Sequence, residues 1–235
     1  MTDITVSDLQ IMSQAGHYRR WLFDQVADHV GQRVLEVGAG IGNYTEFLTA
    51  AERVVCLDIH GEALDVLAQR FGGDPRFVLY RGDIADADCR TLVEHRCDSA
   101  ICFNVLEHVG DQMAALANIA HILVPGGRLL LIVPALPGIF GTVDRALGHY
   151  RRYTARSLRS AVVAAGYAID RMKWLNFPGI FGWYLNNRLL KRTEESPGQI
   201  HFYDRFIVPW LRYVERVLPP PVGLSLICSC RTIIS

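Results

Sequence analysis

VLEVGAGIG, residues 34–42, is the stretch of this chain that decides its fold. Apolar residues typical of a buried strand lead through Glu36 into a turn with glycine at positions 38, 40 and 42. Glycine adopts backbone angles that other residues avoid, and its missing side chain lets the backbone approach a ligand closely. A helix over about residues 44–51 would direct its first N–H groups at the same point. The stretch therefore predicts a strand, a turn that binds a nucleotide-like cofactor, and a helix.

The glycine spacing separates two classes of cofactor. The dinucleotide-binding pattern G-x-G-x-x-G needs its third glycine where this chain has Asn43. The run EVGAGIG, residues 36–42, instead resembles the E/D-x-G-x-G-x-G motif of class I S-adenosylmethionine-dependent methyltransferases. The resemblance implies S-adenosyl-L-methionine as the cofactor, and a tight turn without a ligand is the alternative. It also implies cofactor contacts from Glu36, Gly38, Ala39 and Gly40.

Acidic residues after the next two predicted strands stand in register with this motif. Asp58 ends the second strand, where a carboxylate can accept hydrogen bonds from both ribose hydroxyls or can cap the following helix. The resemblance favours the ribose role, with Ile59 beside the adenine. It further implies that Asp83 accepts from the adenine amino group and that Ile84 packs on the ring.

A fourth motif follows the fourth predicted strand. The run FNVLEHV, residues 103–109, resembles the segment that approaches the methionine part of the cofactor in the same family. The resemblance implies cofactor contacts from Asn104 and Val105. His108 lies one turn later, so it is a candidate general base, or else a structural histidine that lines the turn.

Two similar runs of histidine, tyrosine and arginine flank the predicted core. The run GHYRRYT, residues 148–154, follows strand five and predicts His149 as a catalytic residue, with Tyr150 and Arg152 binding the acceptor. The alternative is a basic loop that pairs with Asp144. The run GHYRRW, residues 16–21, predicts Tyr18 over the methionine part of the cofactor and Arg19 against its carboxylate. An amphipathic helix with exposed arginines is the alternative there.

Strand and helix patterns alternate along the chain, which predicts an α/β domain with a mostly parallel sheet. The resemblance implies the Rossmann-like methyltransferase fold, with seven strands, an antiparallel last strand and helices on both faces. We expect a single domain over residues 1–235. It comprises an N-terminal helical cap (1–32), a cofactor-binding core (33–176), an insertion (177–222) and the last strand (223–235).

The insertion is rich in aromatic residues and joins two strands that are usually connected more directly. We expect Phe181, Trp183 and Tyr203 to form an apolar wall over the acceptor pocket. The alternatives are that the aromatic residues pack the insertion onto the domain, form a dimer contact or face a membrane.

Charge and cysteine content narrow the partners and the location. The chain has 24 basic and 24 acidic residues, and it lacks the D/N-P-P-Y/F and Pro-Cys motifs of DNA methyltransferases, so we expect no nucleic-acid partner. Six cysteines without zinc-site spacing predict no metal. The cysteines, with no recognisable signal peptide, predict a cytoplasmic protein.

Together these patterns predict an S-adenosylmethionine-dependent methyltransferase acting on an O or N atom of a small-molecule, biosynthetic acceptor. The first alternative is a lipid-linked or glycan acceptor at a membrane surface, although membrane contact is not favoured. An NAD-dependent oxidoreductase or a non-catalytic cofactor-binding module fits the motifs less well. The sequence leaves the oligomeric state open.

Overall fold

A computed structural model describes residues 6–192 and 196–233. Within these residues one sheet has the strand order β3-β2-β1-β4-β5-β7-β6. β7 runs antiparallel to both of its neighbours, whereas β1 to β5 are parallel to one another. The predicted Rossmann-like methyltransferase fold is confirmed. The strands are β1 (Arg33–Val37), β2 (Arg53–Asp58), β3 (Phe77–Arg81), β4 (Cys97–Phe103), β5 (Leu123–Pro134), β6 (Tyr167–Leu175) and β7 (Ser225–Thr232).

Helices cover both faces of the sheet, and two of them precede β1 in the sequence. They are α1 (Val6–Ser13), α2 (Gly16–Asp24), α3 (Gly61–Phe71), α4 (Gln112–Ile122), α5 (Thr142–Ala146), α6 (Ala155–Ala164), α7 (Gly179–Tyr184), α8 (Pro197–Phe202) and α9 (Val208–Val217). A π-turn follows α7, and another joins α8 to α9. In the described part of the chain, every helix is too short or too polar to cross a bilayer.

The core lies in two layers because successive side chains of a strand point to opposite faces. Val34 of β1 and Val54 of β2 belong to one buried cluster, and Leu35 and Val55 belong to the other. All six cysteines are free and buried. The sheet is therefore covered on both sides, as expected for parallel strands.

The helix predicted over residues 44–51 is wrong, because only a single 3₁₀ turn, Thr45–Phe47, forms there. In an α-helix the Asn43 carbonyl oxygen would accept a hydrogen bond from the Phe47 N–H. Here the Arg19 guanidinium donates to that oxygen at 2.6 Å. The Phe47 N–H instead bonds the Tyr44 carbonyl, one residue closer. A tertiary contact thus outweighs local helix propensity.

Caps fix the ends of the helices behind the cleft. The Asp111 carboxylate accepts hydrogen bonds from the Met113 and Ala114 N–H groups at 3.0 Å. Thr154 caps α6, since its hydroxyl accepts from the Ser157 N–H at 3.0 Å. These caps place the loop of residues 147–153 above the sheet.

The chain leaves the sheet at the end of β6, Leu175, and returns to it at the start of β7, Ser225. The Leu224 N–H donates to the Asn176 carbonyl oxygen at 3.0 Å, so the two ends of this excursion meet. A Cβ atom on Gly223 would lie 2.2 Å from the Leu175 carbonyl oxygen, so only glycine permits this close approach. Leu224 and Ser225 then line the cleft described below.

Candidate active site

A cleft with a volume of about 660 Å³ opens at the edge of the sheet where β1, β2, β3 and β4 end. In parallel α/β sheets this edge is where ligands bind. The cleft collects most of the predicted site residues from the N-terminal cap, the core and the insertion. Its lining includes Tyr18, Arg19, Gly38, Ala39, Gly40, Asp58, Ile59, Asp83, Ile84, Asn104, Val105, His108, His149, Tyr150, Arg152 and Trp183.

The glycine turn forms one wall of the cleft. Gly38 has a φ of +72°, and a Cβ atom there would lie 2.3 Å from Cγ2 of Val105. The Asp58 carboxylate supports the turn by accepting from the Gly40 N–H at 2.7 Å and from the His60 N–H at 2.8 Å. Each carboxylate oxygen keeps a further lone pair for a ligand, so the ribose role of Asp58 stays a prediction that the geometry allows.

Glu36 does not line the cleft, and its predicted cofactor contact is wrong. Side chains alternate along β1, and that of Glu36 lies buried beneath the turn. Its Oε2 accepts a hydrogen bond from the Thr45 hydroxyl at 2.6 Å. Burial raises the pKa of Glu36 to about 8, so the carboxyl holds its proton at neutral pH and braces the turn from below.

Two buried polar atoms without partners identify the end of the cleft near the N-terminal helices. Arg19 donates through its two Nη atoms to Asn43 and Ser13 and pairs with Glu46, but its Nε has no hydrogen-bond partner among the described residues. Asn43 donates to Leu9, and its Oδ1 likewise has no partner. Buried polar groups are rarely left unsatisfied. A donor and an acceptor at this place fit the carboxylate and the ammonium of an amino-acid group.

The opposite end of the cleft is more apolar. Ile59 is 52% exposed, which is unusual for isoleucine and leaves its side chain available to a ligand. Asp83 accepts from the Ala85 N–H at 2.8 Å, and Ile84 lies beside it in the cleft wall. An apolar slot with one carboxylate at its edge suits a flat heterocycle that carries an amino group.

Between these ends, Asn104 has a φ of +53°, which non-glycine residues adopt rarely. Its N–H donates to the Ile132 carbonyl oxygen at 2.8 Å, which holds the backbone in this conformation. Val105 follows, and its Cγ2 is the atom that a Cβ atom on Gly38 would meet. Strain of this kind is concentrated at functional sites, and here it lies where the sequence predicts the reactive part of the cofactor.

The acceptor side of the cleft is built around a buried carboxylate. Asp144 Oδ1 lies 3.1 Å from His149 Nδ1 and accepts from Arg152 Nε at 2.6 Å. The other oxygen accepts from the Gly141 N–H at 2.8 Å. The alternative prediction of a pairing with Asp144 is therefore confirmed for Arg152, whose guanidinium also lies 4.6 Å from the Trp183 ring.

His108 and His149 meet edge to face, with ring centroids 4.5 Å apart. Burial, and to a smaller extent the neighbouring His149, lower the pKa of His108 to about 3, so His108 is neutral at physiological pH. Because His149 directs Nδ1 at Asp144, its Nε2 is left for other partners. His149 is therefore the better placed of the two for accepting a proton.

Glu107 is a site residue that the sequence motifs did not reveal. Its carboxyl is buried, its Oε2 has no hydrogen-bond partner in the described part of the chain, and burial raises its pKa to about 7. Potential ligand atoms of Glu107, His108 and His149 all lie within 4.8 Å of one another. Such a set can hold a divalent cation or share a proton. Sequence spacing gave no signal, because His149 comes from a separate loop.

Two of the three aromatic residues predicted in the acceptor wall lie elsewhere. Phe181 is 64% exposed and packs edge to face on Phe177, away from the cleft. The Tyr203 hydroxyl donates to Asn176 Oδ1 at 2.5 Å, and its ring packs against the core. Trp183 lines the cleft because its Nε1 points at Asp144 Oδ2. Helical periodicity places only one side chain in this stretch toward the cleft.

Comparison with known proteins finds a family that part of this chain matches. Residues 35–129 match the family described as "Methyltransferase domain". A demethylmenaquinone methyltransferase of Renibacterium salmoninarum is 31% identical over 66% of this chain and 62% of its own length. A ribosomal RNA small subunit methyltransferase A of Gloeobacter violaceus is 48% identical over 23% of this chain and 20% of its own length. The chain thus spans less than two thirds of these curated relatives.

A solved structure shows the same fold. The N-methyltransferase NodS of Bradyrhizobium japonicum, in complex with S-adenosyl-L-homocysteine, matches with a TM-score of 0.56 at 16% identity. The match covers 92% of this chain and 85% of that one. For residues 35–129, these comparisons confirm the predicted class of enzyme and cofactor, an S-adenosylmethionine-dependent methyltransferase.

Proposed function

We propose that this chain transfers a methyl group from S-adenosyl-L-methionine to an oxygen or nitrogen atom of a small-molecule, biosynthetic acceptor. The observation that carries the proposal is the cleft itself. It brings the glycine turn and Asp58 together with the unpartnered Arg19 Nε and Asn43 Oδ1. A carboxylate, a donor and an acceptor in one cleft match the polar groups at the two ends of this cofactor.

Residues of this chain would hold the cofactor at three places. Asp58 accepts from the ribose, and Asp83 accepts from the adenine amino group. Arg19 and Asn43 bind the carboxylate and the ammonium of the methionine part. When bound, the cofactor supplies an electrophilic methyl group on a sulfonium. The protein supplies position and the exclusion of water.

The acceptor side handles the proton of the attacking group. His149 Nε2 takes this proton, while Asp144 fixes the orientation of the ring. Tyr150 and Trp183 border the mouth of the cleft and restrict how the acceptor enters. Arg152 acts as a positioning residue, since its guanidinium is engaged by Asp144 and the Ala135 carbonyl oxygen.

A small molecule is the acceptor class that the comparisons and the charge favour. The relative matched over most of this chain is named for demethylmenaquinone, whereas the ribosomal RNA relative matches a short segment. The chain carries no net charge at neutral pH, and a nucleic-acid partner needs a basic surface.

Calorimetry and methyl transfer test the proposal. S-adenosyl-L-methionine and S-adenosyl-L-homocysteine should bind the purified protein, and NAD should not. Radioactive methyl from the cofactor should then enter candidate amines, phenols and quinols in a screen. Binding of NAD in preference to S-adenosyl-L-methionine would refute the proposal, and cofactor binding without any acceptor would favour a non-catalytic module.

A further inference from the structure

Helix α9 and the π-turn before it carry an apolar face that points away from the domain. We call Phe206, Trp210, Tyr213 and Val217 the outer stripe, because they are spaced by four, three and four residues and share one helix face. Trp210 and Val217 are each 77% exposed, while Leu211 on the inner face is buried. A helix that is apolar on both faces is expected where both faces are covered.

A second exposed apolar run lies on α7 and the π-turn that follows it. Phe181, Leu185 and Leu189 are spaced by four residues along α7 and its π-turn, and all three are exposed. One alternative from the sequence is that the aromatic residues merely pack the insertion onto the domain. It does not apply to these exposed side chains. Extended apolar surface of this kind marks an interaction site.

The exposed charges beside these apolar residues are basic in the described part of the insertion. Arg205, Arg212 and Arg216 are exposed along one side of the outer stripe. The two acidic residues described there, Asp204 and Glu215, are buried, and they accept hydrogen bonds from backbone N–H groups of the domain. Residues 193–195, which include two glutamates, lie outside the described chain.

Basic side chains also converge in a shallow pocket of about 350 Å³ between α2 and the α8–α9 segment. Asp204 contributes to the pocket, but its carboxylate is engaged by the N–H groups of its neighbours on α2. Several guanidinium groups around one space suit a phosphate, which they can bind through paired hydrogen bonds. The basic residues that line the pocket are His17, Arg20, His201, Arg205 and Arg212.

We propose that this face docks on an anionic lipid bilayer. The outer stripe enters the boundary between head groups and acyl chains, and the basic pocket binds a head-group phosphate. Helices with aromatic residues on one side and arginines beside them have the composition of interfacial helices. A second copy of the chain is a poorer occupant, because a two-fold contact would bring Arg205 and Arg212 of both copies together.

Docking in this orientation serves the proposed function without depending on it. Trp183 belongs to α7 and lines the cleft, so a bilayer beside α7 lies near the cleft mouth. An acceptor dissolved in the bilayer would then reach the cleft from the side of the insertion. Vesicle binding is measured without cofactor or acceptor, so its failure is distinct from failure of the methyl-transfer proposal.

Sedimentation with lipid vesicles tests the proposal. The protein should pellet with vesicles that contain phosphatidylglycerol, remain in solution with phosphatidylcholine alone, and be released by salt. Two variants should lose vesicle binding: Phe206→Ser/Trp210→Ser/Val217→Ser, which removes the stripe, and Arg205→Glu/Arg212→Glu, which reverses the charge.

The same kinds of substitution on the outer face of α6 provide the control. Val163→Ser and Arg156→Glu/Arg159→Glu change exposed residues there and should leave vesicle binding intact. All variants should bind S-adenosyl-L-homocysteine like the original protein, which shows that they fold. The proposal is overturned if the protein does not bind anionic vesicles or if the stripe variant still binds them. It is also overturned if light scattering shows a dimer that the stripe substitutions dissociate while vesicles are not bound.

Discussion

Asp144 is the residue on which the acceptor side of the cleft depends. It is fully buried, and it accepts hydrogen bonds from Gly141, His149 and Arg152. Burial alone would raise the pKa of Asp144, but the hydrogen bond from His149 and the charge of Arg152 bring it below its usual value. The carboxylate is therefore charged, and it holds the imidazole of His149 in one orientation.

His149→Ala should remove the proton acceptor and leave the cofactor site intact. We expect methyl transfer to fall by about 10²-fold or more, the usual contribution of a general base. The dissociation constant of S-adenosyl-L-homocysteine should stay the same. Radioactive methyl transfer and calorimetry measure the two effects, and His121→Ala, exposed on α4, is the matched control. Full activity with an unchanged pH profile would exclude His149 from the reaction.

Glu36→Gln should change how stability depends on pH. The folded-state pKa of about 8 lies above the ordinary value of 4.5, because burial favours the neutral carboxyl. Its contribution is complete below the unfolded-state pKa and is lost as pH rises toward 8, by up to ~1.4 kcal/mol per pH unit. The variant should therefore gain stability relative to the original protein between pH 5 and 8.

Urea unfolding at several pH values measures this difference in the free energy of unfolding. Glu52→Gln, on the exposed surface, should run parallel to the original protein at every pH. Glu107, whose pKa burial raises to about 7, contributes a slope of the same sign over a narrower pH range in all three proteins. Parallel curves for Glu36→Gln as well would mean that this carboxyl is ionised in the folded state.

Among the elements, the turn after β1 is the one whose backbone leaves least room for change. Gly38→Ala should weaken cofactor binding by tenfold or more, because the new methyl group would meet Val105 at a positive φ. Gly138→Ala is the control, since no heavy atom lies within 4 Å of its added Cβ. Calorimetric titration measures both proteins. Gly38→Ala/Val105→Ala should recover part of the affinity if the clash is the cause, and unchanged affinity in Gly38→Ala would contradict the close approach.

Sequence patterns predict the strands better than the helices of this chain. The strand before the glycine turn and the end of the second strand at Asp58 agree with the prediction, because runs of buried apolar residues between turn residues identify them. The helix over 44–51 fails because Arg19, distant in sequence, takes a carbonyl that the helix needs. The position of Glu36 in its motif does not show that its side chain faces away from the cleft. Glu107 was missed because His149, its neighbour in the cleft, comes from a separate loop.

On the scale of the whole molecule, helix α2 and the insertion are joined at one buried carboxylate. Asp204, in the π-turn between α8 and α9, accepts from the Tyr18 N–H at 2.7 Å and pairs with His17 at 3.1 Å. Tyr18 and Arg19 reach the cleft from α2. The insertion therefore holds the N-terminal cap over the cofactor site.

Asp204→Asn should loosen this link. Loss of a charged acceptor for a buried N–H costs about 1–3 kcal/mol, so amide exchange in α2 should rise by roughly tenfold or more. Cofactor affinity should fall, because Tyr18 and Arg19 lose their support. Hydrogen exchange followed by mass spectrometry measures the first effect. Asp170→Asn, which breaks the 2.9 Å ion pair with Arg231 at the sheet edge, should leave α2 unchanged. Equal exchange in both variants would contradict the link.

The hydrogen bond between Asn176 and Leu224 brings the two ends of the insertion together, and this has a consequence for how related proteins diverge in evolution. When the two ends of a segment meet, a change in its length displaces the flanking strands little. Doubling the length of a loop costs only ~0.6 kcal/mol in closure entropy. Insertions and deletions within residues 177–222 therefore leave the pairing of β6 with β7 in place. We expect homologues to keep the strand-end residues that we propose bind the cofactor while this segment varies, so that acceptor preference is inherited separately from the chemistry.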